Sequence, residues 1–213
     1  VCSTLLTTPS AVYEICAAVR DATPHTIPVT AKIRLGFESD IDFEEIASQA
    51  LKSGITELTV HARTKAQAYR PPAHWQRLRD ITNPRSVPII ANGEIWTPSD
   101  LFDCRDQSGC NAFMLARGAL CRPDLARAIK AHCDGLAIEP MDWSEITELL
   151  LHFFEANGAL YQRKYAINPL KQWLVYLQYC YPQAAALFAQ VKRIRDPDAM
   201  RTALLGATDP LAA

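Results

Sequence analysis

No apolar run in this chain approaches the ~18 residues that a bilayer-spanning helix needs. Charge of one sign is also missing: 22 Lys and Arg stand against 23 Asp and Glu, a net charge of −1. That balance exerts no global pull on nucleic acid or membrane, so a polyanion could be held only by a local patch. The seven cysteines contain no Cys-x-x-Cys pair. Their spacing argues against a zinc centre, so no metal is expected; it fits buried, reduced thiols of a cytoplasmic protein. The opening Val1-Cys2-Ser3-Thr4 has neither a basic region nor a long apolar one, so no signal peptide is visible. The chain has no initiating Met and no strand ahead of its first predicted helix. Four strand-helix units cannot close an eight-strand barrel, so the expectation is the carboxyl half of a longer polypeptide.

Four apolar runs that each end in a short polar motif are present. They are Val29–Gly36, Leu58–Lys65, Val87–Glu94 and Ala112–Gly118, beginning 29, 29 and 25 residues apart. The interval is that of one strand-plus-helix unit, and the apolar runs fit buried parallel strands. Functional groups of such folds collect at the carboxyl ends of the strands, where the polar residues stand here. Helices are predicted over 9–22, after Asp42 (with Glu45 completing a capping box), over 74–81, after Thr97-Pro98-Ser99-Asp100 and from Pro123. Val12, Ile15, Cys16 and Val19 form the apolar stripe of the first. Residues 134–140 read as a linker. Beyond them only helices are predicted, over 143–157, 170–180, 183–193 and 198–205. The expected architecture is α/β: residues 1–134 as the carboxyl half of a (β/α)8 TIM-type barrel, and 135–213 as a small all-α domain.

The strand ends suggest a phosphate-bearing ligand. Asn92-Gly93-Glu94 and Arg117-Gly118 follow successive strands, and glycine lets backbone N–H groups approach an anion while arginine can pair with it bidentately. Ordinary turns with a surface arginine would look the same. Lys32 within an apolar strand either serves a ligand or pairs with a buried carboxylate such as Glu94. His61 is either a satisfied polar core residue or a ligand contact. The loop carrying Arg63, Lys65, Tyr69 and Arg70 is either solvated or able to steer a phosphate backbone.

From Leu160 to Arg195 there are six basic residues and no acidic one: Arg163, Lys164, Lys171, Lys192, Arg193 and Arg195. Tyr161, Tyr165, Trp173, Tyr176, Tyr179 and Tyr181 are interleaved with them. Basic groups neutralise phosphates and aromatics stack on exposed bases, as RNA recognition requires. Trp173, Leu174 and Leu177 share one helical face and are expected to pack.

Several of these motifs, in this order, resemble the tRNA-dihydrouridine synthases, most closely their bacterial subgroup C. The carriers are Lys32-Ile33-Arg34-Leu35-Gly36, Val60-His61-Ala62-Arg63-Thr64-Lys65, Ile90-Ala91-Asn92-Gly93-Glu94-Ile95-Trp96, Ser108-Gly109-Cys110, Arg117-Gly118-Ala119-Leu120 and Lys171-Gln172-Trp173-Leu174. The resemblance implies an FMN-containing barrel followed by a helical tRNA-binding domain, monomeric at full length. Its reaction would be reduction of uridine to 5,6-dihydrouridine in the tRNA D-loop, with position 16 implied by the subgroup and NADPH as reductant. Lys32 and His61 would contact FMN, and Asn92, Gly93, Glu94, Ala116 and Arg117 would hold its ribityl phosphate end. Arg34, Arg63, Lys65 and Tyr69 would approach the RNA, with Lys171 and Arg193 touching it from the helical domain.

The resemblance places the proton donor in an Asn-Cys-Gly-Cys-Pro motif that this chain lacks. No catalytic residue is therefore expected within it, and the chain alone is expected to be inactive. Ala62 and Ala116 replace the glycines of close relatives, and Pro169 departs from a basic neighbourhood. A non-catalytic tRNA-binding module and another flavin or sugar-phosphate barrel enzyme are the competing readings.

Overall fold

The computed structural model describes residues 2–81, 86–160 and 165–207. The chain packs as two compact units, Val1–Ala116 and Arg117–Ala213. In the first, a 3-10 helix (Cys2–Thr7) precedes α1 (Pro9–Ala22), β1 (Thr30–Arg34), α2 (Phe43–Lys52) and β2 (Glu57–His61). A second 3-10 helix (Trp75–Asp80), β3 (Ile89–Asn92), α3 (Pro98–Ser108) and β4 (Ala112–Met114) follow. The strands form one parallel sheet in the order β1-β2-β3-β4. Each new strand adds beside the previous one, as in barrel winding; a doubly wound sheet would reverse direction partway.

Parallel register sorts the side chains. Arg34, His61, Asn92 and Met114 share one rung; Lys32, Thr59, Ile90 and Ala112 share the next rung on the same face. The alternate positions, including Ile33, Val60, Ala91 and Phe113, carry the apolar face. Leu58, Val60 and Ala91 on that face have no accessible surface. The sheet is therefore greasy on one side and polar on the other, and the polar residues crowd toward its carboxyl end.

Local signals explain most helix boundaries. α1 and the helix-opening run at Thr97 stand where the sequence puts them. Thr97 Oγ1 accepts from the Asp100 N–H at 3.2 Å, and Asp100 Oδ2 accepts from the Thr97 N–H at 2.8 Å, a complete capping box. Gly109, at φ +71°, closes α3 and donates its N–H to the Arg105 carbonyl at 2.8 Å. The capping box expected at Asp42 does not form: Asp42 makes no side-chain cap, and Glu45 Oε1 accepts from Gln49 Nε2 at 2.6 Å.

The apolar stripe of α1 is only partly used. Val12 is buried, but Ile15 and Val19 are 45% and 48% exposed. Together with β1 they line an open groove of about 440 Å³. Among the described residues no strand pairs with the outer edge of β1, and Ile15 and Val19 stay open on that side.

In the second unit all described elements are helical: α4 (Arg117–Cys121), α5 (Leu125–Cys133), α6 (Trp143–Leu160), α7 (Ile167–Leu177), α8 (Pro182–Val191) and α9 (Pro197–Ala207). Leu150, Leu170, Leu174, Leu177, Val191 and Leu204 centre its core. The division by packing falls after β4, ahead of the linker at 134–140. α4 joins the later helices, where Trp173 Nε1 donates to the Leu120 carbonyl at 2.9 Å. Trp173 also meets Phe153 edge-on at 4.9 Å, in keeping with a packing role.

Cys104, Cys110 and Cys121 are buried, whereas Cys133 and Cys180 are exposed, so burial is not general to the thiols. Burial pushes the Cys104 thiol up to about 12 and that of Cys121 up to about 11. At pH 8 the Cys104 thiolate fraction is therefore about one in ten thousand. Maleimide labelling of the native chain, read by mass spectrometry, should modify Cys133 first and Cys104 only after denaturant is added. Thr97→Ala should cost about 1 kcal/mol in urea unfolding, through loss of the cap.

Candidate functional site

The polar strand ends of the first unit are built around Asn92. Its Oδ1 accepts from Lys32 Nζ at 2.9 Å, and its Nδ2 donates to the Met114 carbonyl at 2.8 Å, so one amide links β1, β3 and β4. Lys32 thus bonds a neutral group, and the alternative of a Lys32–Glu94 pair is not what forms. The residue as a whole is open to solvent while its ammonium leans over the sheet end. Burial there, and secondarily the Arg34 charge, lower its pKa below the ordinary lysine value. An ammonium has three N–H donors, and Asn92 takes one.

Glu94 pairs instead with Arg63, and also accepts from Trp96 Nε1 at 2.9 Å. Arg63 has no accessible surface, which corrects its placement on a loop surface facing RNA. Its Nε donates to the Pro72 carbonyl at 3.3 Å, and its Nη1 lies 3.5 Å from His61 Nε2. The corner after β3 is conformationally demanding. Gly93 has φ +116° and Glu94 φ +60°, the latter uncommon for a residue with a side chain. A Cβ at Gly93 would come within 2.9 Å of His61 Cδ2, so only glycine fits beside the imidazole. Trp75 Nε1 donates to the Gly93 carbonyl at 2.8 Å and fastens the corner from the other side.

The loop after β2 is organised by Arg34, whose Nη1 donates to the carbonyls of Thr64 and Ala68, each at 3.0 Å. That guanidinium, expected to approach RNA, is in part a loop brace. Its carbon also lies 5.4 Å from the centroid of Tyr69, a 59% exposed ring whose centroid is 6.1 Å from that of His61. Lys65 is exposed, with Nζ 4.7 Å from the Phe37 centroid. Lys32, Arg34, His61, Tyr69, Asn92, Gly93 and Glu94 are thus gathered by direct contacts. Ala116 is exposed after β4, and Arg117 opens α4 in the second unit. The sequence reading missed Trp75 and the Pro72 carbonyl. Only the presence of a tryptophan in a short polar helix could have pointed to the former.

In the second unit, Lys171 Nζ donates to the carbonyls of Lys192 and Ile194, at 3.1 and 2.6 Å, just past α8. Its ammonium is engaged with protein backbone rather than standing out as a surface cation. Burial, then the Arg195 charge, lower its pKa. Lys192, Arg193 and Arg195 are exposed, as are Tyr165 and Tyr179. Tyr181 is buried against Trp143, and burial pushes its hydroxyl up to about 12. Tyr161, Arg163 and Lys164 lie outside the described residues.

Residues 1–208 match the family model described as dihydrouridine synthase (Dus). The chain is 43% identical over 202 residues to a tRNA-dihydrouridine(16) synthase of Pseudomonas putida, covering 95% of this chain and 62% of that protein. It is 41% identical over 204 residues to the protein of that name from Pseudomonas syringae pv. tomato (96% and 64%). Against the one from Neisseria meningitidis serogroup A it is 39% identical over 206 residues (94% and 60%). The chain belongs to the dihydrouridine synthase family. It spans about three fifths of the length of these relatives.

The strained corner is open to test. Gly93→Ala combines a left-handed backbone with a clash on His61, and should cost more than the ~1–2 kcal/mol of Gly109→Ala, whose Cβ would meet nothing within 4 Å. Urea titrations of the two variants, side by side, make the comparison.

Proposed function

We propose that this chain supplies the flavin-holding strand ends and the tRNA-contacting helices of an enzyme that reduces uridine to 5,6-dihydrouridine in the D-loop of tRNA. Position 16 is the target by the name of its relatives. FMN is the cofactor and NADPH the reductant. The observation that carries this reading is the gathering of Lys32, His61 and the Asn92–Glu94 corner on the polar side of a parallel sheet. The sheet reads as part of a TIM-type barrel and the following helices as an RNA-binding domain.

The residues fit a phosphorylated flavin. Among the described residues Lys32 is bonded to an amide and paired with no carboxylate, so its charge suits an electron-rich carbonyl or a reduced ring. The glycine at position 93 lets the His61 imidazole lie directly against the corner, so the ring and the strand end form one surface. Ala116 and Arg117, directly after β4, are proposed for the phosphate end by their place in the chain. When bound, the flavin supplies hydride to the uracil ring. Lys32 and His61 would fix its orientation, while Asn92 keeps the lysine ammonium in place. Tyr69 and Lys65 offer an aromatic face and a charge to an unstacked base and its phosphate. Arg193, exposed beside Lys192, offers a phosphate contact from the second unit. Arg63 acts from inside. The proton that completes reduction is assigned to no residue of this chain.

FMN titration followed by flavin fluorescence tests the site. Lys32→Ala should weaken binding about tenfold or more. Because the lysine pKa is lowered, the wild-type chain should lose affinity as pH rises through a window beginning below the ordinary lysine value. Lys32→Ala should lack that limb. Filter binding of unmodified tRNA should weaken with salt, and further in Arg193→Ala. Salt-dependent RNA binding without flavin uptake would replace this reading with that of a non-catalytic tRNA-binding module.

A further inference from the structure

Arg63 is the largest side chain among the described residues without accessible surface. A guanidinium is charged at every relevant pH and can only donate, so burying one demands an acceptor for each face of its fork. The acceptors come from three separate places in the first unit. Nε reaches the Pro72 carbonyl in the loop after β2, Nη2 pairs with Glu94 after β3, and Nη1 faces His61 Nε2 at the end of β2. A guanidinium can only donate, so a hydrogen bond across this 3.5 Å separation requires the Nε2 lone pair and places the ring proton on Nδ1. The Cδ2–Nε2 edge of the same ring lies against Gly93, where a Cβ would come within 2.9 and 3.3 Å of those two atoms. Rotating the ring is blocked on one side by the corner and opposed on the other by the loss of the Arg63 contact.

We propose that Arg63 is the positioning residue of the strand-end site. It fixes His61 as the neutral imidazole protonated on Nδ1 and, through Glu94, it holds the Asn92–Glu94 corner that steadies Lys32. Glu94 sits at φ +60°, a conformation that a side-chain-bearing residue keeps only when its surroundings impose it. Arg63 and the Trp96 indole are the groups seen to grip its carboxylate. The Nε2 lone pair of His61 is committed to Arg63, and a proton placed there would set two cations face to face. His61 is thereby an orienting group and not a proton carrier. Its value for flavin binding rests on the function proposed above; the clasp itself does not.

The test is a long-range proton–nitrogen correlation spectrum of the 213-residue chain labelled with 15N-histidine, among five histidines. His61 is assigned by the signal lost in His61→Gln. The expected result is a protonated Nδ1 and a bare Nε2. In Arg63→Lys, which keeps a cation for Glu94 but not the planar fork, the ring should relax toward the common Nε2–H form. FMN affinity should fall about tenfold with an unchanged far-ultraviolet circular dichroism spectrum. His61 protonated on Nε2 in the wild-type chain would overturn the proposal, and that measurement stands even where the Arg63 variant does not fold. So would an Arg63→Lys chain that keeps both the wild-type tautomer and the wild-type affinity. A wild-type chain that shows the Nδ1–H form yet takes up no FMN upholds the clasp and removes the flavin reading alone.

Discussion

Everything at the strand ends depends on parallel register. Because β1 to β4 run the same way, side chains two apart on a strand reach the same face, and paired positions on neighbouring strands stand at the same height. One rung delivers Arg34, His61, Asn92 and Met114; its neighbour delivers Lys32 and Thr59. A slip of one residue in any strand would exchange these groups for the apolar set that faces the core. The amide of Asn92 reads out the alignment directly. It can accept from Lys32 on β1 and donate to the Met114 backbone on β4 only while the three strands keep step.

Charge is distributed unevenly over this frame. At the edge strand, Lys32 and Arg34 keep part of their surface in water, where a cation costs little. In the centre, Arg63 gives up water altogether and is compensated by a carboxylate, a carbonyl and an imidazole nitrogen. Breaking such a pair is far more damaging than never having had it, because the partner is then left charged and enclosed. Two tryptophan N–H groups, from Trp75 and Trp96, complete the fastening of the Gly93–Glu94 corner. The corner is thus held from three directions by groups with no freedom to rearrange separately.

Much of this is legible in the sequence. The strand positions follow from apolar runs ending in polar motifs, and α1 from a proline start and an apolar stripe. The Thr97 box follows from a spacing that the backbone then satisfies. Other features were not readable, for identifiable reasons. An apolar stripe says which face of α1 is greasy, not whether anything covers it, and Ile15 and Val19 remain open. The Asp42–Glu45 spacing permits a capping box but does not compel one, and Gln49 competes for the glutamate. Arg63 lies two residues beyond His61, past the last paired position of β2, where strand alternation no longer dictates direction. Its inward turn is decided by Glu94, distant in sequence. The pairing of Lys32 with Asn92 instead of Glu94 depends on a corner whose left-handed backbone no composition reveals.

Under the proposed function, Lys171 would serve an anionic partner through the segment it braces. Its ammonium ties down the two carbonyls of Lys192 and Ile194, in the short segment that also carries the exposed guanidinium groups of Arg193 and Arg195. The lysine is a strut, and the cations it supports stand on the segment it braces. Shortening that strut would loosen their mounting, so a charge-neutral cut at position 171 would be felt first in the turn that follows α8.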